Sequence, residues 1–499
     1  MNRSVRFLPS NIGVQVAEGT TILDAAFRAG VEINSVCGGK GVCGRCKVLA
    51  EGDVRCPGTD KLSQAEKMRG YRLACLAKVA GDLVVLVPDE SGLHELQILE
   101  SFRGRDIEEL SPLSKAVYRD VSPPTLDHNL GDRERIEAAL GLEEGTLHVS
   151  LALLRQMSVE ARDSKWHLTS VLDVSEKRPK LIALNAFDTS ERNFGIAMDI
   201  GTTTVVMALV DLNTGKVLAQ ASDYNKQIMC GEDILSRIAF AEDGGLRRLN
   251  RLLLETINSL VAQVVVQGDV CVPKSKRVCR EEITALAVAG NTTMVHLFLG
   301  LHPRGIRYEP YVSTANIPST YKARDLTVHI HPNAPVHCVP GRASYVGGDI
   351  VADVICSGMA EAKETSLLID VGTNGEVVLG NDDFLVACSC SAGPAFEGGE
   401  VKAGVRAMQG AIEKVEITRD LELKYSTIGG QVPHGICGSG LIDLVAAIMG
   451  RPRQVTPFLK STPGLPDNIK NNCLTILEYP QTTVTLRACS REVDGLNRR

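Results

Sequence analysis

Apolar and polar positions alternate over residues 3–8 and 12–17, which predicts two short strands joined by a turn. The next segment, TILDAAFRAG, changes to helical spacing; Thr20 or Thr21 caps it, Asp24 sits in its first turn and Gly30 closes it. A loop rich in glycine and cysteine follows at 36–47. Two β-branched runs with turn glycines, KVLAEGDV and LAKVAGDLVVLVP, come after it. Together these predict a small α+β domain of β-grasp type over residues 1–92. Residues 93–125 show little apolar periodicity and contain Pro123–Pro124, so they read as a linker. Residues 126–192 mix two helical stretches with short strands and read as a small α/β middle domain that spaces its neighbours. From Phe194 strands and helices alternate, which predicts an α/β domain over 193–450. Residues 451–499 are rich in Pro, Thr and Asn and lack amphipathic periodicity. They read as an atypical tail, as a frameshift or truncation gives, leaving the last α/β lobe incomplete.

Composition narrows the function classes. The chain has 499 residues, 44% of them hydrophobic, enough for several cores. A net charge of -6 and an aromatic content of 4% give no footprint for nucleic acid. No run approaches the ~20 apolar residues of a membrane helix, and the N-terminus has no apolar signal core. A cytoplasmic protein with no membrane partner is the expectation. Of 15 cysteines, five precede residue 80, an uneven spread that points to metal binding and not to a disulfide framework.

The clustered cysteines follow the order Cys37-x5-Cys43-x2-Cys46, with Cys75 further on. Three thiolates from one tight loop and a fourth from a distant strand can surround a [2Fe–2S] cluster. Gly38, Gly39, Gly41 and Gly44 let the loop wrap closely. Structural zinc prefers paired C-x2-C knuckles, and only one is present. The five-residue spacing resembles the adrenodoxin branch of plant-type ferredoxins. Cys56 reads as a spare thiol.

The α/β domain contains a repeat: IAMDIGTTTVVMALVD at 196–211 and LLIDVGTNGEVVLGNDD at 367–383. Each is an apolar strand, an Asp-x-Gly-Thr turn and a second strand. Backbone amides and hydroxyls of Gly201, Thr202, Thr203 and Thr204, and of Gly372, Thr373, Asn374 and Gly375, can hold phosphate oxygens. Asp199 and Asp370 can hold Mg2+ through water. A third motif, HGICGSGLIDLVAA, brings Gly435, Gly438, Ser439 and Gly440 to a turn entering a helix, where glycines permit close approach to a nucleobase or ribose. Asn291 in AVAGNTTM, and Asp349 in VGGDI, fit the same cleft. Asp349 or Glu376 is a candidate to position a hydrolytic water; a helix cap or a solvated carboxylate explains each equally well.

This arrangement resembles the actin, Hsp70 and sugar-kinase superfamily, with its two-lobed, ribonuclease H-like ATPase. CGGKGVCGRC, MDIGTTT, VAGNTTM, VGGDI, IDVGTNGE, SAGPAFEGG and GICGSGLID, in that order over residues 3–447, resemble the reductive activators of corrinoid enzymes. The resemblance implies ATP-dependent transfer of one electron from a [2Fe–2S] cluster to Co(II), giving Co(I) in a corrinoid (cobalamin-binding) protein of a methyltransferase system. It also implies an upstream low-potential electron donor and a homodimer. The alternative is a [2Fe–2S] electron-transfer protein with an inactive or regulatory ATPase lobe. A kinase with a redox sensor lacks an acceptor-site signature. The activators of 2-hydroxyacyl-CoA dehydratases carry no ferredoxin domain.

Overall fold

In this computed structural model the described residues are 2–31, 33, 41, 44, 46–59, 61–88, 110–231, 233–271, 278–372, 374–390, 403–405, 407–417 and 423–449. The chain divides into two compact units, one over 1–93, 100–369 and 376–389, the other over 94–99, 370–375 and 390–499.

The first unit opens with strands β1 (Asn2–Leu8) and β2 (Ile12–Ala17), helix α1 (Ile22–Ala29), β3 (Lys47–Arg55), a short α2 (Gln64–Met68), β4 (Tyr71–Leu73) and β5 (Lys78–Leu86). The strands form one sheet in the order β2-β1-β5-β3-β4, with β1 and β5 parallel. In β5 alternate positions, Val79, Leu83 and Val85 among them, face the core. Thr21 caps α1 by accepting from the Asp24 amide, and Gly30 ends it in the left-handed region (φ 70°). This is the predicted β-grasp order.

Next come β6 (Ser114–Asp120), α3 (Asp132–Ala139), α4 (Leu151–Asp163), β7 (His167–Asp173) and β8 (Lys180–Ala186). β6, β7 and β8 form an antiparallel sheet with buried β7 in the middle. β6 lies inside the stretch 93–125 that periodicity assigns to a linker. It is an edge strand whose Ala116, Val117 and Tyr118 are only half-buried, so its alternation is too weak to read. Ser114 of β6 is fully buried; its hydroxyl lies 2.6 Å from that of Thr284, and its carbonyl accepts from Asn193 Nδ2 (3.0 Å).

The largest core belongs to β9 (Phe194–Ile200), β10 (Thr204–Asp211), β11 (Val217–Tyr224), α5 (Ile234–Phe240), α6 (Leu246–Cys271), β12 (Ile283–Gly290), α7 (Thr292–Leu299), α8 (Arg304–Arg307), β13 (Tyr321–Lys322), β14 (Pro335–Cys338) and α9 (Gly348–Ser357). The sheet order is β11-β10-β9-β12-β14-β13, with β9, β12 and β14 parallel. α6 buries Leu249, Leu252, Leu253, Ile257, Leu260 and Val264, the three- and four-residue spacing of an apolar stripe. The helical stretch 234–268 meets the length and mean apolarity of a membrane span, though no unbroken apolar run of that length lies in it. Its apolar stripe is spent inside this core.

The β-grasp domain touches this core through α1. The Arg248 guanidinium sits 4.5 Å from the Phe27 ring centroid and 6.0 Å from that of Phe240, and pairs with Asp24 at 3.4 Å. Arg251 also lies over Phe27, at 5.6 Å. Cation–π contacts of this kind contribute ~0.5–2 kcal/mol each. Phe27→Ala is therefore expected to lower stability by about 1–3 kcal/mol. Hydrogen exchange should quicken in α1 and the first turns of α6. Unchanged protection of both helices would contradict the contact.

β15 (Ser366–Val371), β16 (Gly375–Gly380) and β17 (Leu385–Cys390) form a further sheet. In the second unit β18 (Ala411–Ile417), β19 (Leu423–Thr427) and β20 (Gly435–Ile436) make a sheet on which α10 (Gly438–Met449) packs. The tail from 450 onward lies outside the described residues.

Candidate functional sites: a thiolate pair and a braced phosphate loop

Two of the four predicted cluster cysteines are described. Cys46 precedes β3 and Cys75 follows β4. Lys47 pairs with Leu73, and the Ala74 amide donates to the Cys46 carbonyl (2.8 Å). That register brings the two sulfurs to 3.3 Å in a buried setting. Thiolates sharing one tetrahedral metal lie about 3.8 Å apart for metal–sulfur bonds of about 2.3 Å, so this pair at 3.3 Å would need to open by only about 0.5 Å to share one iron of a two-iron cluster. The contact with Cys75 draws the Cys46 thiol down to about 7. Gly41 and Gly44 are left-handed (φ 74° and 72°), and a Cβ on Gly41 would meet Leu76 at 2.7 Å. Cys37, Cys43, Gly38 and Gly39 lie outside the described residues. Cys56 is exposed.

The first Asp-x-Gly-Thr turn joins β9 to β10, with Ile200 paired to Val205 and Asp199 to Val206. Gly201 is required there, since a Cβ would lie 2.6 Å from the Thr204 carbonyl. Thr202 is buried and its Oγ1 accepts from Asn291 Nδ2 (3.2 Å). Asn291 in turn caps α7 through the Met294 amide (3.0 Å). β12 runs parallel to β9 with Gly290 beside Ile200, so both loops leave the same carboxyl edge of the sheet. Ligands of open α/β sheets bind at that edge. The segment after β14 joins them: a Cβ on Gly347 would lie 2.5 Å from Asn291 Cα and 2.7 Å from Asp349 Oδ1. Thus Asp199, Gly201–Thr204, Asn291 and Asp349 gather at one edge.

The second turn joins β15 to β16. The Gly372 amide donates to the Asn374 carbonyl (2.9 Å), and Thr373 lies outside the described residues. Burial pushes the Asp370 carboxyl up. Glu376 is buried and accepts from the Ser389 hydroxyl (3.0 Å).

In the third motif Gly435 pairs with Ala411 of β18, and Gly438, Ser439 and Gly440 form the first turn of α10. A Cβ on Gly440 would lie 2.3 Å from the Ile412 carbonyl, and one on Gly435 2.4 Å from Val405. These two glycines serve close packing of the chain on itself, a need that the motif alone does not distinguish from approach to a nucleobase. Asn225, Gln227 and Arg237, fully buried beneath the first turn, carry no sequence signal of their own.

Family models match the chain in four stretches: a 2Fe-2S iron-sulfur cluster binding domain over 5–80, a RACo linker region over 105–191, a RACo middle region over 194–362 and the C-terminal ASKHA domain of RACo over 364–454. A solved structure titled reductive activator for corrinoid, iron-sulfur protein is 42% identical, with a TM-score of 0.62, covering 89% of this chain and 72% of that one. The corrinoid activation enzyme RamQ of Eubacterium limosum is 30% identical over 441 residues, 87% of this chain and 68% of its own length. The chain belongs to the reductive activators of corrinoid proteins. A reductase of the Co(II) methylated amine-specific corrinoid protein from Methanosarcina barkeri is 26% identical over 228 residues, 44% of this chain and 40% of that one. As a member of this family the chain combines a [2Fe–2S] ferredoxin-type domain with an actin-like α/β ASKHA domain. The family divides the chain differently from the apolar pattern: 126–192 falls in the linker region, and the β9–α9 layer is the middle region.

Proposed function

We propose that this chain is a cytoplasmic, ATP-driven reductive activase. It passes one electron to the Co(II) of a corrinoid protein in a methyltransferase system, giving Co(I), while ATP is hydrolysed to ADP and phosphate. The observation that carries the reading is the pairing, on one chain, of two buried thiols 3.3 Å apart with a braced Asp-x-Gly-Thr turn at a sheet's carboxyl edge. When bound, a plant-type cluster supplies one electron at about −400 mV. Cys37, Cys43, Cys46 and Cys75 would hold it, and the burial of Cys46 and Cys75 limits solvent access on their side. For one electron, each ~59 mV uphill costs tenfold in equilibrium. ATP must then favour one of two conformations by differential binding.

The amides of Gly201–Thr204 and of Gly372–Gly375 cradle the phosphates. Asp199 and Asp370 hold Mg2+ through water, and the raised Asp370 carboxyl gains from a cation beside it. Gly438–Gly440 faces the adenosine. Asp349, beside Asn291, or Glu376, which accepts from Ser389, positions the water.

The test is anaerobic reduction of a Co(II) corrinoid protein by the reconstituted chain, with Co(I) followed by absorbance. ATP-dependent Co(I) formation supports the reading. Co(I) formed equally without ATP would favour the alternative, an electron carrier whose ATPase lobe is inactive or regulatory.

A further inference from the structure

Behind the first turn lies a web of buried polar groups that the nucleotide reading leaves unused. Arg237 of α5 is fully buried, and burying a guanidinium costs several kcal/mol unless its donors are met. Its Nε donates to the Gly231 carbonyl (2.8 Å) and its Nη1 to Gln227 Oε1 (3.1 Å). Its Nη2 donates to the carbonyl of Thr202. Asn225, also fully buried, donates from Nδ2 to the Gly201 carbonyl (3.0 Å), and its amide donates to the Thr203 carbonyl (2.8 Å). Asn225 Oδ1 accepts from the Gln227 amide (3.1 Å), so the web is continuous.

In a trans peptide the N–H points opposite to the preceding C=O. Holding the Gly201 and Thr202 carbonyls inward therefore turns the Thr202 and Thr203 amides outward. We propose that Arg237 and Asn225 are positioning residues of the nucleotide site: they fix the peptide planes of the Gly201–Thr203 turn so that its amides meet phosphate oxygens. The assignment rests on the ATP reading above and adds to it the residues that set the loop.

The experiment uses the full chain and calorimetric binding of MgATP and of adenosine, which has no phosphates. Arg237→Met keeps the bulk and removes the donors. MgATP affinity is expected to fall about 10- to 100-fold, the size of one or two lost charge-assisted bonds. Adenosine should bind as before. Arg237→Lys, which keeps a donor, should recover most of the loss. Asn225→Asp, which keeps the acceptor for Gln227 and loses the donor for Gly201, should show the same selective loss and decides the matter if Arg237→Met fails to fold. A folded Arg237→Met or Asn225→Asp chain binding MgATP within twofold of the parent would overturn the proposal. Equal losses for MgATP and adenosine would also overturn it, since they report a general weakening. A parent chain that does not bind MgATP would sink the nucleotide reading itself.

Discussion

Replacing Cys75 with serine is expected to strip the visible absorption of the cluster and to cut Co(I) formation at least ~100-fold. Cys75 is buried, its sulfur lies 3.3 Å from that of Cys46, and the β3–β4 register fixes both. A serine hydroxyl is a harder and less basic ligand than a thiolate, and loss of even a supporting group at a metal site commonly costs ~10–100-fold. MgATP binding should survive, because the phosphate turn draws on β9, α5 and β12 and on no residue of this site. Cys56→Ser is the matched control: that thiol is exposed and outside the spacing, so absorption should stay as in the parent. An unaltered spectrum in Cys75→Ser, or a bleached one in Cys56→Ser, would refute the ligand assignment.

Why the cluster was legible in the sequence is a matter of short range. Three of its ligands and the glycines between them lie within ten residues, and their chemistry follows from spacing alone. The two Asp-x-Gly-Thr turns were legible because each is a local strand–turn–strand repeat. Other features depend on partners far away in the chain. Phe27 reads as one more apolar residue of α1, and only the fold brings Arg248 and Arg251 over it. Asn225 and Arg237 sit in unremarkable stretches, and their role exists only because both reach the back of the same turn. β6 was missed for the opposite reason. As an edge strand it buries too little of either face for the pattern to show. Gly435 and Gly440 were legible as special positions but not as to cause, since a glycine needed for a ligand and one needed for packing look alike in sequence.

Asp199→Asn is the second change with a large expected effect. The residue is the next to last of β9, one position before Ile200 and the turn, and is paired across the hairpin with Val206. Asparagine has the same shape, so the hairpin and the Thr202–Asn291 contact should persist. On the proposed reading, what disappears is the negative charge that would face a divalent cation, and with it the hold on Mg2+ at the phosphates. Removing one well-placed electrostatic group from a reacting centre typically costs about 10²–10³ in rate. Single-turnover ATP hydrolysis is therefore expected to slow by that factor, and half-saturation should need several-fold more Mg2+. The cluster spectrum should be untouched. Asp370→Asn should give a loss of similar kind if the second turn shares the cation. Burial raises its carboxyl above the usual range, and a neighbouring positive charge would favour its ionised form. The shift in Mg2+ dependence separates this role from a purely structural one. A hairpin that merely loosened would weaken nucleotide binding at every Mg2+ concentration alike. If hydrolysis and Mg2+ dependence are both normal in Asp199→Asn, the carboxylate does not hold the metal, and the turn binds phosphate through its backbone alone.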